Sequence, residues 1–447
     1  MRGKGLSKAV IVIIILLIGC DKSSEDYHEL ASDPEFFRAT VKKLTDVIVH
    51  DIFSPPVASR VYAYPSIAAF EVMVQNDSRF QSLSGQLNGL SPPPPPNAET
   101  KYCFPLASIQ AFMKVGTALV FSENQMTEYA DGLYDKFKDM GVPKAIIINS
   151  IAYGDKVAKH ILQWADQDNY RQTRTFPKYS IDDRPFRWQP TPPDYMDAIE
   201  PHWNKIRPFV IDSANQFEPD PPTPFDLNES SQFYQEMMQV YEVGNNLDEE
   251  QQAIAQFWDC NPYVSHHQGH VMFATKKITP GGHWIGITEI ATRNQGTDFM
   301  ETVEAYALVS IALADAFISC WDEKYRSELI RPETVINQYV DKDWAPILQT
   351  PPFPEYTSGH SVISSAAATA LTTLFGEPFP FEDTTELEYG LPSRSFNSFF
   401  EASEEAAISR LYGGIHYMPA CENGVLQGKA LGTYVMSNIS TRKSKSS

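Results

Sequence analysis

Three short segments in the last third of the chain carry side chains suited to anion chemistry. They read Lys-x6-Arg-Pro from Lys324, Ser-Gly-His from Ser358 and Ser-Arg-x5-His from Ser409. An arginine fork grips two oxygens at once, whereas lysine acts as a mobile point charge. Histidine can bond to a central atom or transfer protons. Together the segments predict a site that captures a tetrahedral oxyanion.

The overall charge strengthens this interpretation. The chain has 447 residues, with 36 basic and 56 acidic side chains and a formal charge of −20. Such an acidic balance argues against a nucleic-acid surface. Three cations, Lys324, Arg331 and Arg410, in matching segments of such an acidic protein indicate an anion pocket. The predicted donors are Lys324, Arg331, Ser358, Gly359, Arg410 and His416, with His360 beside them.

In this order and spacing, the segments resemble the superfamily that joins vanadium-dependent haloperoxidases with type 2 phosphatidic acid phosphatases. Vanadate and phosphate are near isosteres, so the same residues can hold either anion. In the haloperoxidase interpretation, the resemblance implies a vanadate cofactor whose vanadium is bonded by His416. It also implies two catalytic residues, with His360 taking a proton from hydrogen peroxide and Lys324 polarising the peroxide.

Several residues favour the haloperoxidase over the phosphatase. Trp321 and Phe353 match positions near the halide in haloperoxidases, and the same resemblance suggests that Tyr263 and His283 line the entrance. The upstream half resembles bacterial haloperoxidase-like lipoproteins over most of its length. Over the full length the chain resembles marine bacterial vanadium iodoperoxidases, and iodide is the halide that is easiest to oxidise. Phe353 does not exclude bromide. The matching upstream stretches are 58–62, 258–262 and 280–284.

Two other functions remain as alternatives. One is a secreted acid phosphatase or phosphotransferase, in which His416 attacks phosphorus and His360 protonates the leaving alcohol. The other is a non-enzymatic lipoprotein with a decayed site, which the intact catalytic positions argue against. One position departs from the superfamily, which often has Asp four residues after the second His. Here that position is Ala420, with Glu422 two residues later, so the partner of His416 is left open.

The start of the chain predicts export. Arg2 and Lys4 precede a short apolar run, and residues 17–20 (Leu-Ile-Gly-Cys) look like a bacterial lipobox. We expect residues 1–19 to be a signal peptide, Cys20 to be lipidated and residues 20–34 to form a tether. The alternative is a transmembrane anchor, but the run is short for a span of roughly 20 residues. The expected location is the periplasm or cell envelope, with the membrane reached through the lipid alone.

The remaining cysteines and a histidine group give weaker signals. Cys103, Cys260, Cys320 and Cys421 lack C-x-x-C spacing, so a zinc site is not expected from them. They are compatible with disulfides in an exported protein or with buried free thiols. The segment 263–270 contains His266, His267 and His270, but no carboxylate completes a zinc pattern. Structural or pocket-lining histidines are the favoured interpretation.

Hydrophobic periodicity predicts an all-α fold of two helical bundles packed as one domain. The first region spans 35–230 and contains proline-rich loops, including a long ordered loop over 181–225 that is either functional or a covering strap. The second, 231–440, holds the site. No strand is predicted, and neither oligomeric state nor an organic acceptor can be assigned. Helices are expected at 35–53, 58–74, 107–121, 123–140, 144–167, 232–243, 248–258, 298–326, 361–375, 401–411 and 424–437.

Overall fold

The computed structural model describes residues 26–268 and 271–443, without the side chains of 266–274. This part of the chain is built from α-helices joined by loops, with two short antiparallel hairpins. The helices are α1 (Asp26–Ala31), α2 (Glu35–His50), α3 (Pro55–Met73), α4 (Phe104–Leu119), α5 (Glu123–Asp139), α6 (Lys144–Ala165), α7 (Tyr170–Thr173), α8 (Gln232–Asn245), α9 (Glu249–Phe257), α10 (Pro280–Gln295), α11 (Phe299–Ser327), α12 (Pro332–Tyr339), α13 (Gly359–Phe375), α14 (Phe399–Tyr412) and α15 (Met418–Asn438). The hairpins pair β1 (Val264–Gln268) with β2 (Val271–Thr275) and β3 (Phe381–Asp383) with β4 (Arg394–Phe396).

The all-α prediction is confirmed, and each predicted helix overlaps an observed one. Helices that begin at proline were missed or predicted to start too late. Pro280 and Pro332 open α10 and α12, and Pro419 lies in the first turn of α15. Proline is tolerated there because the first turn has no backbone acceptor for its missing N–H. The prediction of no strands is wrong, since hairpins of three to five residues per strand are too short to show clear alternation.

The predicted tether at 20–34 is partly structured. Helix α1 lies inside it, and Tyr27 and Ala31 are buried against the core. Apolar side chains at these two positions explain why this segment packs. The predicted signal peptide and Cys20 lie outside the described residues, and those predictions stay predictions.

The two halves of the chain share one hydrophobic core. A single cluster of buried side chains runs from Tyr27 to Ile439, and α3 packs directly on α11. All 19 residues of α3 are buried. The two predicted regions are therefore packed together as one domain, as expected. The position of their boundary near residue 230 stays a prediction.

Helix α11 is the central element that leads to the site. A capping box starts it: Asp298 accepts the Glu301 N–H, and Glu301 accepts the Asp298 N–H. Within the described residues, this helix is long and apolar enough to cross a membrane, but its apolar window is 100% buried inside the protein. Burial on all sides is what a central core helix requires. Its last turn carries Lys324.

Close packing of α13 on α15 fixes the helix that carries the Ser-Gly-His segment. A Cβ atom added to Gly428 of α15 would lie 2.0 Å from the carbonyl oxygen of Val362. The facing part of α13 is rich in serine and alanine. Small residues on both helices let the two backbones approach, which positions the start of α13 against the start of α15.

The long loop over 181–225 is anchored to α11 by one carboxylate. The Asp315 side chain is fully buried and accepts backbone N–H groups from Phe209, Val210 and Ile211 at 2.7–3.0 Å. Burial raises its pKa to about 6, while the three N–H groups oppose that shift. These three bonds fix residues 209–211 to α11, and the Ile199 carbonyl of the same loop accepts from Trp321 Nε1 on that helix. The loop also reaches the site.

Candidate active site

The predicted anion-binding residues meet where several helices of the C-terminal bundle begin or end. Lys324 lies in the last turn of α11, and Arg331 is the residue before α12. Ser358 precedes α13, and Arg410 lies in the last turn of α14. His416 stands two residues before α15. Chain segments up to 92 positions apart therefore place their polar side chains around one point.

Lys324 is buried beneath the site with no carboxylate in hydrogen-bond contact. Its ammonium donates to the backbone oxygens of Pro354 and Glu355 at 3.0 Å and of Thr357 at 2.5 Å. Burial lowers its pKa to about 8, and the charge of Arg331 acts in the same direction. A bound anion would oppose both effects. The segment 354–357, which leads into Ser358, is thereby fixed to the end of α11.

The two arginines are held by carbonyl oxygens, which orient the guanidinium groups without neutralising them. Arg331 Nε donates to Phe353 O and its Nη1 to Ile415 O, both at 2.9 Å. Its Nη2 is buried and has no partner. Arg410 Nη2 donates to Trp258 O at 2.7 Å. Burial lowers the pKa of both, to about 10 for Arg331, so an anionic ligand would stabilise this arrangement.

The start of α13 adds neutral donors. The Ser358 hydroxyl caps the helix by accepting the Ser361 N–H, and the Ser358 N–H donates to Ala420 O at 3.0 Å. Gly359 opens the helix and lines the cavity. A helix of 17 residues places a partial positive charge and free amides at this end, which favours an anion there.

His416 is oriented by a carboxylate that the sequence analysis did not identify. Its Nδ1 lies 2.7 Å from Glu355 Oε1, which also accepts the Tyr417 N–H at 3.0 Å. Its Nε2 lies 3.1 Å from Arg331 Nη1. Burial, with the nearby cations, lowers the pKa of His416 well below its ordinary value. A neutral ring that donates from Nδ1 keeps a lone pair on Nε2, as a metal-bound histidine requires.

Glu355 supplies the carboxylate that Ala420 cannot offer to His416. Ala420 contributes only its carbonyl to Ser358, and Glu422 is exposed. Glu355 supplies the carboxylate from the opposite side, 61 residues before its histidine. Burial raises the pKa of this carboxyl to about 7, against the pull of Arg331 and Lys324. A signal was present, because Glu355 stands in an apolar stretch three positions before Ser358, and a buried acidic residue is rarely unpaired.

His360 faces the same cavity. Its Nε2 is buried and has no hydrogen-bond partner among the residues that the structure describes. Burial lowers its pKa well below the ordinary value, and Arg410 contributes in the same direction. The ring is therefore neutral near neutral pH and can accept a proton at Nε2. Together, His360, Gly359, Arg410 and His416 form the polar floor of the cavity.

The walls of the cavity are largely apolar. Trp321, Phe353 and Tyr263 line it, as predicted for these three, and the Trp321 and Phe353 rings lie 4.9 Å apart. Met196 and Ile199 of the long loop close another side. The loop is therefore part of the site and more than a covering strap. The cavity volume is about 260 Å³. Pockets that bind drug-sized ligands are usually larger, about 300–1,000 Å³, so this cavity suits small ions better.

His283 does not line the entrance as predicted. It is 0% exposed and lies behind the cavity wall, in contact with Cys260 and Asp383. Tertiary packing of α10 against the 258–260 turn places it there, which local sequence does not reveal. His266 and His267 belong to β1, but their side chains and the whole of His270 lie outside the described residues. The four cysteines after residue 25 are buried free thiols, with no disulfide among them.

Comparison with known proteins identifies the family. A family model described as the VCPO second helical-bundle domain matches residues 304–443. The crystal structure of a bacterial vanadium-dependent iodoperoxidase is 53% identical in sequence, covers 92% of this chain and 98% of that one, and superposes with a TM-score of 0.88. The chain belongs to the vanadium-dependent haloperoxidase family. No curated protein sequence matches the chain.

More distant structures share the haloperoxidase fold. Holo and apo crystal structures of a bacterial vanadium-dependent chloroperoxidase each show 16% identity and a TM-score of 0.65. They cover 87% and 86% of this chain, and 93% and 94% of their own. At this identity the likeness concerns the fold alone.

The haloperoxidase site fits a tetrahedral oxyanion such as vanadate. Lys324, Arg331 and Arg410 all lie close enough to His416 to lower its pKa, beside the larger effect of burial, and within the described residues none of the three forms an ion pair with a carboxylate. Arg331 Nη2 and His360 Nε2 are buried without hydrogen-bond partners in the same part of the chain, and His416 Nε2 lies 3.1 Å from Arg331 Nη1. Buried polar atoms without partners are costly. An oxyanion that accepts a hydrogen bond from Arg331 Nη2, and whose protonated oxygen donates to His360 Nε2, removes that cost.

Proposed function

We propose that this protein is a vanadium-dependent haloperoxidase that oxidises iodide with hydrogen peroxide to a hypohalous product. The observation that carries the proposal is the neutral His416, oriented by Glu355 and facing three buried cations. That arrangement suits a permanently bound vanadate. The structural neighbour with 53% identity, a vanadium-dependent iodoperoxidase, supports both cofactor and halide.

Each residue has a definable task in this function. Lys324, Arg331, Arg410, Ser358 and Gly359 would hold the vanadate oxygens, and His416 would bond to vanadium. When bound, vanadate supplies a Lewis acid that activates peroxide without changing oxidation state. His360 Nε2 accepts a proton from the incoming hydrogen peroxide. The fixed Lys324 charge favours the build-up of negative charge beside it.

The halide would reach the site along the apolar wall of the cavity. Trp321 and Phe353 stand beside the cationic floor, with Lys324 Nζ 5.0 Å from the Phe353 ring centre. An apolar surface next to buried cations favours a large, weakly hydrated anion, because little hydration has to be given up. Iodide is such an anion and is also the easiest halide to oxidise.

A phosphatase of the same superfamily is not favoured. Ala420 in place of the usual Asp does not decide between the two functions, because Glu355 supplies a carboxylate to His416. The neighbour of 53% identity over most of the chain argues for peroxidase chemistry instead.

The decisive experiment compares vanadate with phosphate. Protein stripped of bound anion should oxidise iodide with peroxide only after vanadate is added. Phosphate present during reconstitution should suppress that activity, because the three cations do not readily distinguish the two anions. Steady-state iodide oxidation is the measurement. Full activity of phosphate-loaded, vanadium-free protein would contradict the proposal.

Glu355→Gln should weaken vanadate binding by about 10–100-fold, the usual effect of removing a carboxylate that orients a metal-bound histidine. Glutamine fills the same space but no longer supplies the negative charge that favours Nδ1–H on His416. Vanadium content at graded vanadate concentrations gives the affinity. The control is Glu71→Gln, since Glu71 is a fully buried carboxylate of the N-terminal bundle. Equal losses in both variants would indicate general destabilisation.

We also propose that the mature protein is anchored outside the cytoplasm by a lipid on Cys20. Support comes from the sequence, where a basic flank and a short apolar run precede Leu-Ile-Gly-Cys. In cells, Cys20→Ala should appear in the soluble fraction or stay unprocessed, and it should lose lipid label. A variant that still carries the label and needs detergent for extraction would refute the anchor.

A further inference from the structure

A second cluster of metal-ligating side chains lies behind the cavity, where α9, α10 and the β3–β4 hairpin meet. Cys260 Sγ lies 3.3 Å from His283 Nδ1, and Glu386 Oε1 lies 3.2 Å from the same nitrogen. The ligand atoms of the three residues are all within 4.8 Å of one another. None of them is exposed by more than 2%. The proposed peroxidase reaction uses none of these groups.

Glu386 indicates that this cluster is incomplete as it stands. Both of its carboxylate oxygens are buried and have no hydrogen-bond donor among the described residues. Oε1 lies 3.2 Å from His283 Nδ1, without hydrogen-bond geometry. A buried carboxylate without a donor is strongly unfavourable unless a cation is placed beside it. One of the Glu386 oxygens lies within 4.8 Å of the Cys260 sulfur.

His283 is oriented as a metal-binding histidine would be. Its Nε2 lies 2.8 Å from Asp383 Oδ2 and 2.7 Å from Thr385 Oγ1. The Trp258 ring stacks on it, with ring centres 4.6 Å apart. Without an ion, Asp383 and Cys260 raise the pKa of His283 well above its ordinary value in spite of burial. With zinc bound, a ring that donates from Nε2 to Asp383 would present its Nδ1 lone pair to the ion. This carboxylate–histidine–metal order is the usual arrangement at zinc sites.

The spacing and donor set select the metal. Zinc bonds of about 2.0–2.3 Å in a tetrahedral arrangement place neighbouring donor atoms about 3.3–3.6 Å apart. The observed separations of 3.3 Å and 3.2 Å are close to that range. Thiolate, imidazole and carboxylate together suit zinc, whereas calcium and magnesium take oxygen donors. We propose that Cys260, His283 and Glu386 bind a zinc ion and that Asp383 orients His283.

The ion would have a structural role beside the anion site. The Cys260 N–H donates to Trp258 O at 2.9 Å, and the same oxygen accepts Arg410 Nη2 at 2.7 Å. Zinc would therefore fix the 258–260 turn, which holds Arg410 in place, to α10 and to the loop after β3. No short motif marks such a site, because its ligands stand far apart in the sequence, at 260, 283 and 386.

The first test needs no substitution. The purified full chain, freed of metal with a chelator, is titrated with Zn²⁺ in competition with a chromophoric chelator. We expect one tightly bound zinc per chain and a higher unfolding temperature. With Co²⁺ in place of Zn²⁺, a thiolate-to-metal charge-transfer band should appear in the near ultraviolet. Absence of tight zinc binding by the folded wild-type chain would overturn the proposal.

Substitutions then locate the ion. Cys260→Ser should abolish the cobalt band, and Cys260→Ser and Glu386→Gln should each weaken zinc binding by more than about 100-fold. Asp383→Asn, which changes only the orienting carboxylate, should weaken it by about 10–100-fold. Cys103→Ser is the matched control, since Cys103 is a buried free thiol in the N-terminal bundle. Zinc affinity and a cobalt band retained in Cys260→Ser, or lost equally in Cys103→Ser, would place the ion elsewhere.

Discussion

His416→Ala should lose both bound vanadate and peroxidase activity. The variant removes the nitrogen lone pair that faces Arg331 and leaves the Glu355 carboxylate buried without its imidazole partner. We expect vanadate affinity to fall by more than about 100-fold. Removing only the carboxylate that orients a metal-bound histidine already lowers metal affinity by about 10–100-fold, and this variant removes the histidine itself. Elemental analysis of vanadium and steady-state iodide oxidation, measured on the same sample, check this result.

Two controls make that outcome interpretable. His160→Ala removes a partly exposed histidine on α6 whose ring hydrogen-bonds to Ser91, and it should leave vanadium content unchanged. Thermal unfolding of His416→Ala separates loss of the ligand from loss of the fold. A folded His416→Ala protein that retained full vanadium would show that His416 is not the vanadium ligand.

His360→Ala should keep most of its vanadate and lose turnover. The three cations and His416 remain in place, so the anion site is largely preserved. The variant removes the unpartnered Nε2 that accepts a proton from peroxide. Loss of a positioned acid–base group typically reduces the rate by about 10²–10⁴-fold. Vanadium content and the rate of iodide oxidation, measured together, test this expectation.

The pair of histidine variants has a built-in cross-check. If His360→Ala were empty of vanadium while His416→Ala stayed full, the two roles would have to be exchanged. A pH profile adds a second readout for His360. Its lowered pKa keeps the ring neutral at neutral pH, so the wild-type rate should fall only when acid protonates the ring, and His360→Ala should lose that acid limb.

The residues of the anion site could be predicted because each lies in a short segment with local meaning. The segments around Lys324, Ser358 and Arg410 pair particular side chains with helix ends, and helix ends follow from local periodicity and caps. Ser358 illustrates this, since the residue that caps α13 also lies at the anion site. The misplaced helix starts at Pro280, Pro332 and Pro419 have an equally local cause, because proline marks either a break or a first turn.

The partner of His416 could not be predicted in the same way. Glu355 was visible in the sequence, but only packing of the segment before α13 against the turn before α15 brings it to His416 Nδ1. The expectation for His283 failed for the same reason. Its helix packs on the 258–260 turn and turns the ring away from the cavity.

By itself, then, the sequence determined the helical class, the family that the chain resembles and the side chains that the structure brings together at the predicted anion site. These depend on residue type and on spacing within single segments. The tertiary structure alone decided the Glu355–His416 pair, the entry of the 181–225 loop into the cavity wall and the cluster of Cys260, His283 and Glu386. Each joins residues tens of positions apart, and such contacts are selected by the packing of whole helices rather than by local preference.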